Sequence, residues 1–276
     1  MVSQEQRRRQ LAREKFLRQQ QRRTQARRKA RLRNSVIASV LGVVVIGSVA
    51  LYTTGVLKDD GKKTNASADT TPSAAPTSKA PDPCAKPAAG SVKKLGWKKE
   101  PAMTIDTSAK YSMKLATTCG DIDIALKTAA APHTVNSFGF LAGKGYFDHT
   151  KCHRLTTAQI FVLQCGDPQG TGMGGPGYTL PDENLKDKAL KGNTYPAGTV
   201  AMANTGKKHT GGSQFFLVYK DTPLPPSYTP FGTVSASGMK VLTKIAAAGS
   251  RPADPSTGNT APNATVVIDR ATVTKS

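Results

Sequence analysis

The sequence predicts a mainly β domain, a barrel or sandwich capped by two α-helices, with one apolar segment ahead of it. Three observations carry that expectation. From about Met103 onward, short runs of alternating apolar and polar residues recur between glycine-rich turns. Only two stretches there have the spacing of an amphipathic helix. Far upstream, Ser35–Leu57 is an uncharged, mostly apolar run of 23 residues.

Residues 1–34 come first and carry 13 Lys/Arg against 2 acids, about half of the chain's net charge of +21. The folded body, 102–276, carries 17 against 11. The basic excess therefore belongs to a tail. Aromatic residues for stacking bases are not interleaved through it, so no nucleic-acid partner is expected. A solvated tail held near anionic lipid fits better.

The run 35–57 matches the roughly 20 helical residues that cross a bilayer core. With the basic flank before it, the expected topology is a single-pass cell-membrane protein, N-terminus cytoplasmic and C-terminal body outside. A secreted form cut after the small residues Ser48–Ala50 is the alternative, although a 34-residue charged lead is long for a signal peptide. Residues 58–101, rich in Pro, Ala, Ser and Thr, lack the large apolar side chains that would offset ordering entropy and read as a linker. Trp97, the sole tryptophan, is expected to tack the linker onto the domain edge.

Within 102–276, "KYSMKLATTCGDIDIALK" alternates around Cys119-Gly120-Asp121 and predicts a hairpin. In "APHTVNSFGFLAGKGYF", Pro132 marks a helix start, and Val135, Phe138 and Leu141 make one apolar face. "VAMAN" and "SQFFLVY" are short strands, and "GMKVLTKIAAAG" is a second helix ending at Gly249. "ATVVIDRATV" is a closing strand. Phe215 and Phe216 must point to opposite faces of their strand. Cys84, Cys119, Cys152 and Cys165 allow three pairings and suit an oxidising compartment.

No phosphate-binding GxxxxGK[ST], HExxH or GxSxG occurs, and the four histidines show no metal or triad spacing. The glycine-rich Gly170–Tyr178 stretch reads as a long turned loop. What remains is a set of six segments: "KCHRL" (151–155), "IFVLQCGDPQGTG" (160–172), "PDEN" (181–184), "GTVAMANTG" (198–206), "GGSQFFLVY" (211–219) and "PFGTV" (230–234). In order and spacing they resemble the cyclophilin family over about residues 102–274. With the basic tail, span and linker, the whole is similar to membrane-anchored actinobacterial cyclophilins.

The resemblance implies a closed eight-stranded antiparallel barrel capped by two helices, with a groove on its outer face. It implies peptidyl-prolyl cis-trans isomerisation of proline-containing polypeptides, as exported or cell-surface proteins would present them. The family's catalytic positions fall on Arg154, Phe161 and Gln164. Its substrate-binding positions fall on Val162, Gly170, Ala203, Asn204, Thr205, Gln214, Phe216 and Leu224, and Tyr228 stands where many members carry a His. A binding or chaperone module with little catalysis is the rival reading.

The reaction explains why such residues suffice. An X–Pro amide must lose its resonance to rotate, over a barrier of about 18–20 kcal/mol. No bond to a heavy atom forms, so no nucleophile, metal or cofactor is expected. At the twisted state the proline nitrogen gains a lone pair, which a fixed guanidinium can meet with a hydrogen bond. Phe161, Phe216 and Leu224 would grip the proline ring, while Gln164 and Asn204 hold the flanking peptide.

Three departures from the family pattern matter. Six residues rather than the usual four separate Arg154 from Phe161, and the "GKKHTGGSQ" stretch is one residue longer than usual. The Trp that commonly precedes the position of Leu224 is Pro223 here, so weak or no cyclosporin binding is expected. If Arg154 and Gln164 face the groove, alternation puts Cys152 on the groove side and Cys165 in the core. A Cys152–Cys165 bridge is then disfavoured unless a bulge intervenes.

Overall fold

The computed structural model describes residues 81–255 and 257–275. The basic tail, the apolar run 35–57 and the first part of the linker lie outside them. Among the described residues no helix is long and apolar enough to cross a membrane.

The expected hairpin is β1 (Tyr111–Thr117) and β2 (Gly120–Leu126), in register from Tyr111↔Leu126 to Thr117↔Gly120. Met113, Leu115, Ile122 and Ile124 turn inward by strict alternation. Helix α1 (Pro132–Gly143) opens with its proline in the first turn, where the missing N–H costs nothing. Its N-cap Ala131 offers no side-chain cap. Glu183 supplies one from 50 residues away: the His133 and Thr134 N–H groups and the Thr134 hydroxyl donate to its carboxylate at 2.8–3.0 Å. This gives "PDEN" a structural role.

Six short strands follow the first helix. They are β3 (Thr150–Lys151), β4 (Arg154–Leu155), β5 (Val162–Cys165), β6 (Thr194–Tyr195), β7 (Thr199–Met202) and β8 (Phe215–Val218). Then come β9 (Thr222–Pro223), β10 (Pro230–Val234), helix α2 (Ala236–Ala247) and β11 (Val267–Lys275). Ser235 caps α2 by accepting the Gly238 N–H at 3.1 Å, and Gly249 leaves it at φ +72°.

Nine strands form one antiparallel sheet, ordered β3-β11-β1-β2-β10-β7-β8-β5-β4. Its two edges belong to one segment, 150–155, so the sheet curls until its ends meet on neighbouring residues. The count exceeds the expected eight because Cys152 and His153 interrupt that segment. A separate pair, β6–β9, was not anticipated. The interior is aromatic, with Phe138, Phe147, Phe215 and Phe231 in ring contact at 4.5–6.5 Å.

Two expectations are corrected. Cys152 and Cys165 are disulfide-bonded, as are Cys84 and Cys119. The interruption resets the alternation: Cys152 lies in the interior cluster, bonded to inward Cys165, and does not share the face of Arg154. The linker also yields earlier than residue 102. From Cys84 it is stapled to the β1–β2 turn, and Leu95 and Trp97 pack on the core.

Candidate active site on the outer face of the sheet

The hairpin β4–β5 sets the site. Arg154 pairs directly with Gln164, and Gln164 with Phe216 on β8. The two extra residues of this hairpin are absorbed in its tip, where Gln159 adopts φ +64°, and leave that register intact. A relay of amides fixes the guanidinium. Arg154 Nη1 donates to Gln164 Oε1 (3.2 Å), Gln164 Nε2 to Gln214 Oε1 (2.9 Å), and Gln214 Nε2 to the Gly174 carbonyl (2.9 Å). Burial lowers the Arg154 pKa and the neighbouring Tyr228 raises it again; an arginine so placed stays a cation at neutral pH. Among the described residues its side-chain hydrogen bond goes to the Gln164 amide, so its charge is not spent on a carboxylate.

Beside this relay lies a second apolar cluster, distinct from the interior. Val162, Tyr195, Ala201, Phe216 and Val218 are buried in it, with Ile160, Leu190, Ala203, Leu224 and Tyr228 packed around. Phe216 points outward as alternation requires but is only 4% exposed, because Tyr228 and Tyr195 stand edge-on to it at 5.5 and 6.2 Å. Tyr195 was not anticipated. Its hydroxyl donates to the Tyr228 carbonyl (2.8 Å) and accepts from the Tyr228 N–H (3.0 Å), and burial pushes its pKa up to about 12.

Phe161 is set apart from this cluster. Its carbonyl pairs with the Tyr219 N–H, so it continues the row of Leu163 and Cys165 at the rim, one face away from Val162. Its ring meets Tyr219 at 6.0 Å and lies under the Lys220 ammonium at 4.7 Å. Its contacts thus lie with Tyr219 and Lys220, and it is not among the residues packed on the cluster of Phe216 and Leu224.

A groove of about 540 Å³ adjoins the relay, with Gly172–Thr179 on one side and Ala203–Thr205, Thr210 and Gly212–Gln214 on the other. Ala203 donates its N–H to the Gln214 carbonyl (2.9 Å). The Asn204 side chain is occupied within the protein, donating to Ser227 O (2.8 Å) and accepting from Gly206 N (2.9 Å). Asn204 lines the groove beside Ala203, the pair expected to hold the flanking peptide. Thr205 bonds Thr210 by N–H and hydroxyl. Gly170, at φ +66°, falls outside the lining; the wall begins at Gly172. The sequence marked 170–178 as a long turned loop carrying Gly170, and the lining itself falls on 172–179.

Asp167 shapes the wall. Its buried carboxylate accepts the N–H groups of Gln169 (2.8 Å), Thr171 (2.9 Å) and Gly172 (2.6 Å). Burial pushes its pKa up, but these donors outweigh it and hold the carboxyl below its usual range. A Cβ on Gly174 would fall 1.9 Å from Asp167 Oδ1, so only glycine fits there. His153, 5% exposed, has no partner for either ring nitrogen among the described residues, and burial lowers its pKa, with Asp167 opposing and Arg154 assisting.

Comparison with known proteins agrees with this geometry. The family model for cyclophilin type peptidyl-prolyl cis-trans isomerases matches residues 112–273, more than half of the chain. A probable peptidyl-prolyl cis-trans isomerase B of Mycobacterium leprae is 51% identical over 149 residues, 51% of this chain and 50% of that protein. Peptidyl-prolyl cis-trans isomerase B of Bacillus subtilis is 44% identical over 122 residues, 43% of this chain and 78% of that one. The chain thus spans about half the length of the mycobacterial relatives it matches. A crystal structure of a cyclophilin-type isomerase from Cryptosporidium parvum aligns at TM-score 0.50 and 27% identity, covering 60% of this chain and 99% of that one. With a curled sheet, two helices and an outward Arg–Gln–Gln relay over a matched 162-residue span, the chain belongs to the cyclophilin-type peptidyl-prolyl cis-trans isomerase family.

Proposed function

We propose that this chain catalyses cis-trans isomerisation of X–Pro bonds in extended polypeptides outside the cytoplasm. The observation that carries the reading is a half-buried guanidinium, held by Gln164 and spent on no carboxylate, at the edge of an outward apolar cluster. Val162, Phe216 and Leu224 take the proline ring. Arg154 donates to the proline nitrogen as that atom pyramidalises, a bond the planar amide cannot accept, so it lowers the barrier without deepening the ground state. Gln214 and Phe216 lie two residues apart on one strand face, about 7 Å. An extended peptide with proline over Phe216 therefore lays a side chain two residues away into the groove.

The rival, a binding module with little catalysis, would share the pocket; the in-register pairing of Arg154 with Gln164 speaks for the enzyme. The four cysteines, all paired in two bridges, support an oxidising compartment. With the run 35–57, they favour a single-pass anchor that places the domain outside the cell membrane, with secretion after cleavage as the alternative. Protease added to intact cells should then remove the C-terminal body; full protection would overturn that topology. With Pro223-Leu224-Pro225 where the family's Trp-Leu stands, cyclosporin should bind weakly, and nanomolar affinity would contradict this. The reaction is tested by a coupled isomerisation assay on the full chain. Wild type should exceed the spontaneous rate and Arg154→Ala should lose most of that excess.

A further inference from the structure

Trp97 lies outside the family-matched span, yet it touches the groove wall. Its N–H donates to the Pro176 carbonyl at 2.8 Å. Its carbonyl oxygen stands 2.5 Å from where a Cβ on Gly177 would sit, so the two backbones are in direct contact there, with Gly177 at φ +92°. The indole is anchored edge-on to Phe140 (5.0 Å) and tilted against Tyr146 (6.0 Å). The Tyr146 hydroxyl in turn shares a hydrogen bond with Ser213 Oγ (3.0 Å), beside Gln214 on the opposite wall.

We propose that Trp97 is a positioning residue for the substrate groove, the point at which the N-terminal strap, 81–101, sets the separation of the two walls. The proposal rests on the isomerase reading above. A residue that merely covered apolar surface would need only its ring. Here the ring holds a main chain that meets Pro176 and Gly177 directly, and reaches Ser213 through one tyrosine. The far end of the strap is fixed independently, by the Cys84–Cys119 bond and by the Ala88 N–H donating to Asp269 (3.0 Å). The site is therefore built partly from a segment upstream of the barrel. On the isomerase reading, the groove it shapes takes the side chain two residues from the proline.

The test uses the full chain and two peptide series, one with a large side chain at that position and one with glycine. Trp97→Ala should raise KM about fivefold or more for the first series, hold kcat within about twofold, and leave the glycine series unchanged. Trp97→Phe should restore most of the affinity. Cys84→Ser/Cys119→Ser, which frees the strap's far end, should lower Tm without that shift in KM. An unchanged KM in folded Trp97→Ala overturns the proposal, as does an equal shift in both series or the same shift in the double serine variant. If wild type itself fails to beat the spontaneous rate, the isomerase reading falls instead. Hydrogen exchange then decides the positioning role: faster exchange of the Gly174–Tyr178 amides in Trp97→Ala supports it, and unchanged exchange overturns it.

Discussion

The two faces of the β5–β8 ladder are made from one short stretch of sequence and serve opposite ends. On the inner face Leu163 pairs with Leu217 and Cys165 with Phe215, all sealed in the aromatic interior. On the outer face Val162 pairs with Val218 and Gln164 with Phe216, a buried apolar cluster of its own edged by the Arg154 relay. Burial alone does not tell them apart, since Phe215 and Phe216 are 0% and 4% exposed. The neighbours do. Phe215 meets three phenylalanine rings of the interior, whereas Phe216 meets two tyrosines and pairs with Gln164 of the Arg154 relay. A period of two lets a single ladder be core and site at once.

That contrast can be broken by substitution, starting with the largest effect. Phe215→Ala opens a cavity among Phe138, Phe147 and Phe231 and should cost about 3–5 kcal/mol of stability, while the folded fraction keeps its kcat/KM. Phe216→Ala should instead lower kcat/KM by tenfold or more, about 1.4 kcal/mol or more in the transition state, with a smaller fall in Tm. Denaturant melts paired with kinetics check both; equal losses of activity would remove the distinction.

The inner face also carries the Cys152–Cys165 bridge. Cys152→Ser/Cys165→Ser frees a 13-residue separation and should cost about 3 kcal/mol by loop closure. Because Cys165 adjoins Gln164, kcat should fall as well, which a purely structural bridge would not require.

The smallest effect is a pH dependence. Buried His153 has a lowered pKa when folded, while in the unfolded chain it titrates near 6.5. Below about 6.5 the unfolded chain binds the extra proton. Stability should therefore fall as pH drops from there toward the folded pKa, by at most about 1.4 kcal/mol per unit. Urea melts at several pH values should show that slope, and His153→Leu should flatten it.

Much of this was legible in the residues. The β1–β2 hairpin followed from alternation, both helices from Pro132 and Gly249, and the facing of Arg154 and Gln164 from the ordered segments. What escaped depended on contacts distant in sequence or on a broken period. The Cys152–Cys165 bond was hidden by the irregularity at Cys152–His153, which no pattern of two reveals. Glu183 capping α1 and Tyr195 bracing Tyr228 span 50 and 33 residues. Phe161 was placed by the family pattern alone, which carries no information on its contacts with Tyr219 and Lys220. Trp97 was expected at the domain edge, but its grip on the groove wall needed the fold.

On the proposed mechanism Arg154 acts on the twisted proline nitrogen and not on the bound ground state. Exchange NMR on a proline peptide measures both at once, with full-length wild type and Arg154→Gln. In Arg154→Gln, catalysed cis-trans exchange should be lower by about 100-fold, near 2.7 kcal/mol, with peptide Kd unchanged within about twofold. Undiminished exchange, or a loss of affinity matching the loss of rate, would contradict it.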